Sequence, residues 1–365
     1  MPQMENAYVR VGQQGYEAVL RELRRKRLRL VSNLSEAEKS LSERFRQMQE
    51  RGRGPISRSV LRAIQKVGSH EGATVTLKNA VSVPLRLRTA RREKLRSAPD
   101  SDPYVRDAAL TTMAYLGSAG FHALPEYFDG TPAYWAHVVG QEDDRQSYSS
   151  TQHRLSAEVS TLHPHKPFGP ALFGNDRAQK LDAISPDIIA YIVADKVDSR
   201  TRIGPIIYVL EDILSNLDSE IVDLLKHKHF RIDPEVAVTG NNLMGFGGVA
   251  HINVIGERGS DEEPDGRAYF RFRQHKTFDE RAHGRDAIAA LQNTLRKMAK
   301  SRSCLDLARG DVLLVNNRRV ATQWSDSSPA GMFKQGTLPL SSGDRTIIRM
   351  SFYRPEEILL RKTVG

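Results

Sequence analysis

Two stretches decide the fold of this chain: Ala308-Arg-Gly-Asp-Val-Leu-Leu-Val-Asn-Asn-Arg-Arg-Val-Ala-Thr-Gln-Trp324 and, about twenty residues later, Gly343-Asp-Arg-Thr-Ile-Ile-Arg-Met-Ser-Phe-Tyr353. Gly310-Asp311 predicts a tight turn, and the apolar run from Val312 to Val315 predicts a buried strand. Residues 346–353 predict a returning strand. We expect these two strands to be neighbours in one sheet.

The bulk composition is that of a soluble globular protein. The chain has 365 residues, of which 39% are hydrophobic and 27% charged, so it is long enough to bury a large core. Its single cysteine, Cys304, excludes an internal disulfide, and no apolar run approaches the roughly 20 residues of a membrane helix. The N-terminus lacks the pattern of a signal peptide. We therefore expect a cytoplasmic protein without a membrane partner.

The positive charge is concentrated in the first hundred residues. Residues 1–100 contain 22 Lys and Arg against 10 Asp and Glu, whereas residues 101–365 contain 32 against 34. Capping signals and apolar spacing predict helices in this basic region. Its charge fits either a solvated helical face or the docking surface for an acidic carrier or partner protein. Nucleic acid is disfavoured, because no helix-turn-helix spacing or zinc motif accompanies the basic residues.

Beyond residue 97 the patterns mix helices and strands. A helix is predicted from Tyr104 to Leu116, a strand from Tyr134 to Val139, and an amphipathic helix through Ala287 and Met298, directly before the Gly-Asp strand. A second motif lies between them in Leu155-Ser-Ala-Glu-Val-Ser-Thr-Leu-His-Pro-His-Lys-Pro-Phe168.

The two motifs together resemble those of the Fe(II)/2-oxoglutarate-dependent oxygenases, in particular the clavaminate synthase-like branch with its free amino-acid hydroxylases. That family shows Gly-Asp-x-Leu-x-Val-Asp-Asn-x-Arg-x-x-His, followed by a strand that opens with Asp-Arg. The resemblance covers roughly residues 100–355. It implies an α+β protein whose residues 97–365 form a jelly-roll, or double-stranded β-helix, flanked by helices. Residues 1–96 would form a basic, mainly helical N-terminal region.

The family binds Fe(II) through two histidines and one carboxylate, and this chain departs from that set. Thr322 stands where the distal histidine is expected. In the second motif we prefer the register that places Ser156 at the other histidine position and Glu158 at the carboxylate position. The alternative register places Ala157 and Val159 there. Neither register supplies a histidine, and hydroxyl groups are poor ligands for Fe(II) beside imidazole or carboxylate.

Other histidines offer only weak replacements for the missing ligands. The candidates are His153, His163, His165 and His251. Each of them alone fits a surface or packing role better than a ligand role. His227 and His229 lie two residues apart and so cannot share a helix face, and we expect a solvated helix end there.

The resemblance also assigns the carboxylate-binding residue. Family members pair the distal carboxylate of 2-oxoglutarate with an arginine on the closing strand, and bidentate pairing suits the guanidinium. The match to Asp-Arg makes Arg345 the first choice and Arg349 the second. Because they are four residues apart on one strand, both should face the same side. The plain alternative is that both pair with surface acids.

Two functional hypotheses follow. The first is an oxygenase-like enzyme with an altered metal site that acts on an amino-acid-like substrate, either free or carrier-bound. The resemblance implies 2-oxoglutarate and Fe(II) as its cofactors. The second is a catalytically degenerate relative that binds a ligand or a partner protein through its basic N-terminal region. Metal-independent chemistry in the same interior is a third possibility. Stoichiometric iron in anaerobically loaded protein would favour the first hypothesis over the second.

Overall fold

The computed structural model describes the greater part of the predicted helices and strands. The described residues are 7–11, 17, 19, 21, 34–51, 56–69, 71–81, 103–124, 126–128, 131–133, 136–139, 186–196, 205–227, 229–232, 249–256, 268–272, 277–279, 281–303, 305–323 and 345–354. Within these ranges, no helix combines the length and the apolar character needed to cross a membrane.

Six helices lie in the described part of the chain. They are α1 (Leu34–Glu50), α2 (Arg58–Gly68), α3 (Pro103–Ser118), α4 (Leu210–Leu214), α5 (Ser219–Lys226) and α6 (Ala282–Ser301). Helix α2 begins after Ser57, whose side chain accepts a hydrogen bond from the backbone N–H of Val60 at 3.3 Å. Helices α3 and α6 confirm the two helices predicted around residues 104–116 and 287–298.

The strands of the described chain are short, apart from two of nine residues. They are β1 (Ala7–Arg10), β2 (Thr74–Lys78), β3 (His122–Leu124), β4 (Glu126–Phe128), β5 (Thr131–Ala133), β6 (Ala136–Val139), β7 (Ile188–Lys196), β8 (Ile206–Val209), β9 (Phe230–Ile232), β10 (Val249–Ile252), β11 (Ile255–Gly256), β12 (Tyr269–Phe270), β13 (Thr277–Phe278), β14 (Val312–Asn316), β15 (Val320–Gln323) and β16 (Arg345–Tyr353).

The main sheet has the strand order β1-β2-β14-β7-β16-β3, and β6 pairs with another part of β16. All of these pairings are antiparallel except that of β1 with β2. Smaller sheets pair β15 with β8, β9 with β10 and β13, β11 with β12, and β4 with β5.

The predicted strands β14 and β16 both exist, but the expectation that they are neighbours was wrong. Strand β7 lies between them: Ile192 is opposite Val312 on one side and opposite Ile348 on the other. The apolar run of β7 is buried on both faces, which suits a central position in a sheet. The neighbours of β14 and β16 in the sheet are therefore set by a strand from a distant part of the sequence.

The two faces of the main sheet pack against different layers. Ile188, Ala190 and Ile192 of β7 join a core shared with α1, α2 and α3. The alternate residues Ile189 and Val193 face the opposite way. There they form an interior layer with other apolar residues of the main sheet and of the β8–β15 pair: Leu313, Val315, Ile347, Val209 and Val320. The main sheet and the β8–β15 pair thus enclose the interior layer between them.

A second apolar core covers the other face of the β8–β15 pair. Tyr208 and Ala321 point into it and pack with residues of α5 and α6, among them Leu225 and Leu291. The β8–β15 pair therefore has a sheet on one side and helices on the other.

The observed architecture is mixed α and β, with sheets flanked by helices. The N-terminal region contains α1 and α2, as predicted, but also β1 and β2, which belong to the main sheet and which the sequence patterns missed. The mainly helical character expected of residues 1–96 stays a prediction, because much of that region lies outside the described residues. The boundary at residues 96 and 97 lies outside the described residues and stays a prediction, as does the double-stranded β-helix topology.

Candidate functional site

The described residues include two of the predicted site side chains. Arg349 and Thr322 are described in full, whereas Arg345 is described as the first residue of β16 without its side chain. Ser156 and Glu158 lie outside the described residues. The same holds for the residues of the alternative register and for three of the candidate histidines, Ala157, Val159, His153, His163 and His165. The backbone of His251 lies in β10, and its side chain is not described.

Arg349 is buried in the middle of β16, with 7% of its surface exposed. Its neighbours at alternate positions, Ile347 and Ser351, are buried too, and Ile347 belongs to the interior layer. Strand alternation therefore places Arg349 on the interior face of the sheet. A guanidinium does not lose its charge in proteins, so burial requires anionic or hydrogen-bonding partners around it.

Thr322 lies on the facing pair of strands, opposite Ile207 in the β8–β15 register. The neighbouring Ala321 packs in the second core, on the other face of the strand pair. Thr322 therefore shares a face with Val320, which belongs to the interior layer. Only 6% of Thr322 is exposed. The position that the motif resemblance assigns to the distal histidine therefore faces the interior and presents a hydroxyl group.

Tyr191 lies opposite Arg349 in the sheet and contacts Thr322. It lies directly opposite Arg349 in the antiparallel register of β7 and β16, and is 5% exposed. Its phenol oxygen is 3.5 Å from Oγ1 of Thr322. Sequence analysis did not identify Tyr191, although it is the one residue with a polar group in the apolar run from Ile188 to Val193. The sequence did contain a signal for it: a tyrosine within a continuous apolar run, whose hydroxyl group needs a hydrogen-bond partner when the strand is buried on both faces.

Asp187 holds together the strands that carry these residues. Its carboxylate pairs with the guanidinium of Arg318 at 2.7 Å and accepts a hydrogen bond from the backbone N–H of Arg354 at 2.8 Å. The N–H of Asn317 donates to the carbonyl of Asp187, and its side-chain amide donates to that of Pro186. The start of β7, the turn before β15 and the end of β16 are thus tied together, which fixes Tyr191, Thr322 and Arg349 relative to one another.

The predicted turn at Gly310-Asp311 is confirmed and is structural. Gly310 has a φ of 86°, a conformation that favours glycine. The carboxylate of Asp311 is buried, pairs with Lys78 at 2.7 Å, and accepts hydrogen bonds from the backbone N–H groups of Asn79 and Ala308. The acidic residue of the Gly-Asp motif therefore fixes the turn before β14 to the end of β2.

The expectation of a solvated helix end at His227 and His229 was wrong for His229. Nε2 of His229 lies 3.3 Å from Oδ2 of the buried Asp279. Burial lowers the pKa of His229, the charge of Asp279 raises it, and the nearby Arg281, His227 and His283 lower it further. Local sequence spacing could not predict this contact, because Asp279 follows β13 and is 50 residues away from His229 in the sequence. The pair lies among the strands and helices around the second core.

The metal-binding potential of the described residues is limited. Thr322 fits Fe(II) poorly, because a neutral hydroxyl group is a weak ligand beside imidazole and carboxylate. Nowhere in the described ranges do three His, Cys, Asp or Glu side chains come together in a metal-binding arrangement. What the described residues do offer is a buried cation and two hydroxyl groups, which suit hydrogen bonding to a carboxylate.

Comparisons with known proteins identify the fold. No protein-family model matches the sequence, and a search of curated proteins finds no match either. Among solved structures, an asparagine oxygenase in complex with Fe(II), (2S,3S)-3-hydroxyasparagine and succinate matches with a TM-score of 0.56 at 14% identity, over 95% of this chain and 93% of that chain. The non-heme iron oxygenase OrfP in complex with iron, succinate and (3S)-hydroxy-L-arginine matches with a TM-score of 0.58 at 13% identity, over the same shares.

A further structure of OrfP, with iron and alpha-ketoglutaric acid, matches with a TM-score of 0.57 at 13% identity, over 95% of this chain and 93% of that chain. The chain therefore shares the fold of these amino-acid oxygenases, and the match runs through both the N-terminal region and the main sheet. The resemblance inferred from the two motifs is confirmed at the level of the fold.

Proposed function

We propose that this protein binds a small carboxylate in the interior of its oxygenase-type fold and acts on an amino-acid-like substrate with an altered metal site. The observation that carries the proposal is the buried Arg349, which faces the interior layer beside Tyr191 and opposite the strand pair of Thr322. A buried cation beside hydroxyl groups suits a carboxylate ligand. The shared fold with amino-acid oxygenases suggests the substrate class.

Two arginines support the carboxylate site on different grounds. Arg345 carries the motif match, since it follows Asp344 at the opening of β16. Arg349 carries the structural support, because its burial on the interior face is described. They lie four positions apart, which would put both on one face of a regular strand, and the pairing of β16 with β7 shifts register between them, at Thr346 and Ile347. We propose that they form one cationic edge of the ligand site.

The altered metal site is the second part of the proposal. Thr322 does not fit the ligand role of a histidine, and Ser156 and Glu158 are assigned by motif alone. We therefore attribute no reaction step to iron. In this protein, the roles that the described residues support are to bind the carboxylate, to orient it, and to donate hydrogen bonds from Tyr191 and Thr322.

The second candidate function is that of a degenerate relative that binds a ligand or an acidic partner protein without catalysis. The contact between Thr322 and Tyr191 supports this second candidate. It puts two neutral hydroxyl groups where the motif resemblance would have a histidine ligand. The basic N-terminal region would then be the docking surface for the partner. A metal-independent enzyme that uses the same interior is compatible with the same contact.

Iron content separates the enzyme from the degenerate relative. The protein is loaded with Fe(II) under argon, desalted, and assayed for iron and for consumption of 2-oxoglutarate. Stoichiometric iron with turnover supports a working, relocated metal site, whereas binding of 2-oxoglutarate without iron supports the ligand-binding role. The double variant Ser156→His with Thr322→His should raise Fe(II) affinity if the preferred register is right. If Ala157→His with Thr322→His is the productive pair instead, the alternative register is right.

The motif assignment of Arg345 has its own test. If the pair with the ligand is buried, Arg345→Ala should weaken 2-oxoglutarate binding by on the order of 2–5 kcal/mol, because one partner of a charge pair is removed. Arg296→Ala is a matched control, because Arg296 is an exposed arginine of α6 that donates to the side chain of Asn293. Unchanged affinity in Arg345→Ala, measured by calorimetry, would remove the assignment.

A further inference from the structure

We propose that the outer face of α2 binds an acidic helix of a partner protein through Arg58, Arg62 and Lys66, which we call the basic stripe. The proposal rests on the partner-binding role of the second candidate function, since it specifies the surface and the chemistry of the partner. It does not depend on the carboxylate site. Neither sequence motif contains these residues.

Helix α2 has one buried and one exposed face. Val60, Ile64 and Val67 are buried in the core that the N-terminal helices share with the main sheet. The basic stripe is exposed on the other side of the helix. Because this core lies on the face of the main sheet opposite the interior layer, the basic stripe and the carboxylate site are on opposite sides of the sheet. A partner bound to the stripe therefore leaves the interior face uncovered.

The basic stripe has a regular spacing. Its members follow one another at intervals of four residues, from the first turn of α2 to the last. In a helix this interval places them on one side, about 6 Å apart along the axis. Acidic residues at the same interval on another helix present carboxylates with the same spacing. Such a helix, lying alongside α2, can pair with all three cations.

The local sequence does not favour this arrangement of charges. Like charges four residues apart destabilise a helix, and a cation in the first turn lies beside the positive end of the helix dipole. The first turn of α2 contains no acidic residue. Within the described part of the chain, none of the three cations takes part in an ion pair. The carboxylates of a partner would supply the missing opposite charges.

An acidic protein fits the basic stripe better than a nucleic acid does. Proteins that bind duplex DNA commonly contact about 6–10 phosphates, whereas the stripe offers three cations. The interval of the stripe is that of a helix surface, which a second helix reproduces. We therefore commit to an acidic helix as the partner and use DNA as a competing probe.

The variant Arg62→Glu separates a docking role from a structural one. It reverses the central charge of the stripe and creates opposite charges at intervals of four residues with both Arg58 and Lys66. Thermal stability should therefore stay the same or rise, while binding is lost. Arg296→Glu is the matched control, because it makes the same charge change on the exposed face of α6 and likewise gains an opposite charge four residues on, at Lys300.

The probe is a fluorescein-labelled helical peptide with three glutamates at intervals of four residues. Its counterpart has the same composition with the glutamates spread around the helix. Fluorescence anisotropy is measured with the full chain at low ionic strength, where exposed charges are least screened. The wild type should bind the first peptide at least about fivefold more tightly than the second. Arg62→Glu should weaken that binding at least about tenfold and Arg296→Glu less than about twofold.

Four outcomes would overturn the proposal. Equal losses in the two variants would show that only net charge matters, and equal affinity for the two peptides, or none for either, would exclude the spaced recognition. Tighter binding of a DNA duplex than of the first peptide would identify a nucleic acid as the partner. Lower thermal stability of Arg62→Glu would make the stripe structural. Self-association of the wild type that Arg62→Glu abolishes in ultracentrifugation would identify a second copy of the chain as the partner.

The carboxylate site is tested separately on the same variant. Calorimetry of 2-oxoglutarate with Arg62→Glu should give the wild-type affinity, because the stripe lies across the main sheet from the interior layer. Failure of the peptide to bind therefore leaves the carboxylate site standing, and failure of 2-oxoglutarate to bind leaves the basic stripe standing. A parallel loss of both in Arg62→Glu would overturn the separation of the two surfaces.

Discussion

Replacing Asp187 by asparagine should destabilise the protein strongly. The carboxylate of Asp187 and the guanidinium of Arg318 are 2.7 Å apart, and the exposed fractions of their side chains are 2% and 7%. Asparagine keeps an oxygen that can accept the hydrogen bond from the N–H of Arg354. The substitution therefore removes mainly the negative charge and leaves Arg318 as a buried cation without its ionic partner at 187.

The magnitude follows from this burial. Removing one partner of a buried ion pair costs about 3–5 kcal/mol, and the retained acceptor places Asp187→Asn near the lower end, at about 3 kcal/mol. The matching variant Arg318→Met should cost a similar amount for the reverse reason. Because the double variant contains neither buried charge, its loss should fall short of the sum of the two by at least about 1 kcal/mol.

Urea unfolding followed by circular dichroism measures these changes. The control is Asp223→Asn, which removes one partner of the exposed pair between Asp223 and Lys226 at 3.3 Å and should cost less than about 0.5 kcal/mol. A loss below about 1 kcal/mol for Asp187→Asn, or strict additivity in the double variant, would refute the idea that this pair ties the site strands together.

Two further predictions concern the region around the second core. Gly284→Ala should destabilise by about 1–3 kcal/mol despite the better helix propensity of alanine, because the new Cβ would lie 2.0 Å from Oδ2 and 2.5 Å from Cβ of Asp279; thermal unfolding that shows a gain would contradict this. The lowered pKa of His229 means that the unfolded state binds the proton more readily, so stability should fall as the pH drops below 6.5, until the folded-state pKa is passed. His229→Gln should reduce that slope in urea titrations between pH 7 and pH 5, and an unchanged slope would exclude His229 as its source.

Local sequence patterns were enough to predict the elements of the fold that depend on neighbouring residues. The apolar run of β14, the alternation of β16 and the spacing of α6 each form what their own residues favour. Sheet order was not predictable in this way, because the strand between β14 and β16 comes from residues 188–196. Strands β1 and β2 were missed since the surrounding charge and helical spacing dominated that region.

The candidate site was predictable in part for the same reason. The motif match named Arg349 and Thr322 as site positions, and in the structure Thr322 shares a face with Val320 of the interior layer while Arg349 alternates with Ile347 of the same layer. The contact of Thr322 with Tyr191 joins strands far apart in sequence, and no local pattern encodes it. The pairing of Asp187 with Arg318 is of the same kind.

A calorimetric titration of 2-oxoglutarate into the wild-type protein and into Arg349→Gln tests the central claim most directly. Glutamine keeps hydrogen-bond donors but lacks the charge and the fork of the guanidinium. We predict saturable binding to the wild-type protein and a dissociation constant at least tenfold larger in Arg349→Gln. The control Arg296→Gln should bind 2-oxoglutarate like the wild type. Binding of equal strength to the wild type and to Arg349→Gln would contradict the claim that the buried Arg349 forms part of a carboxylate site.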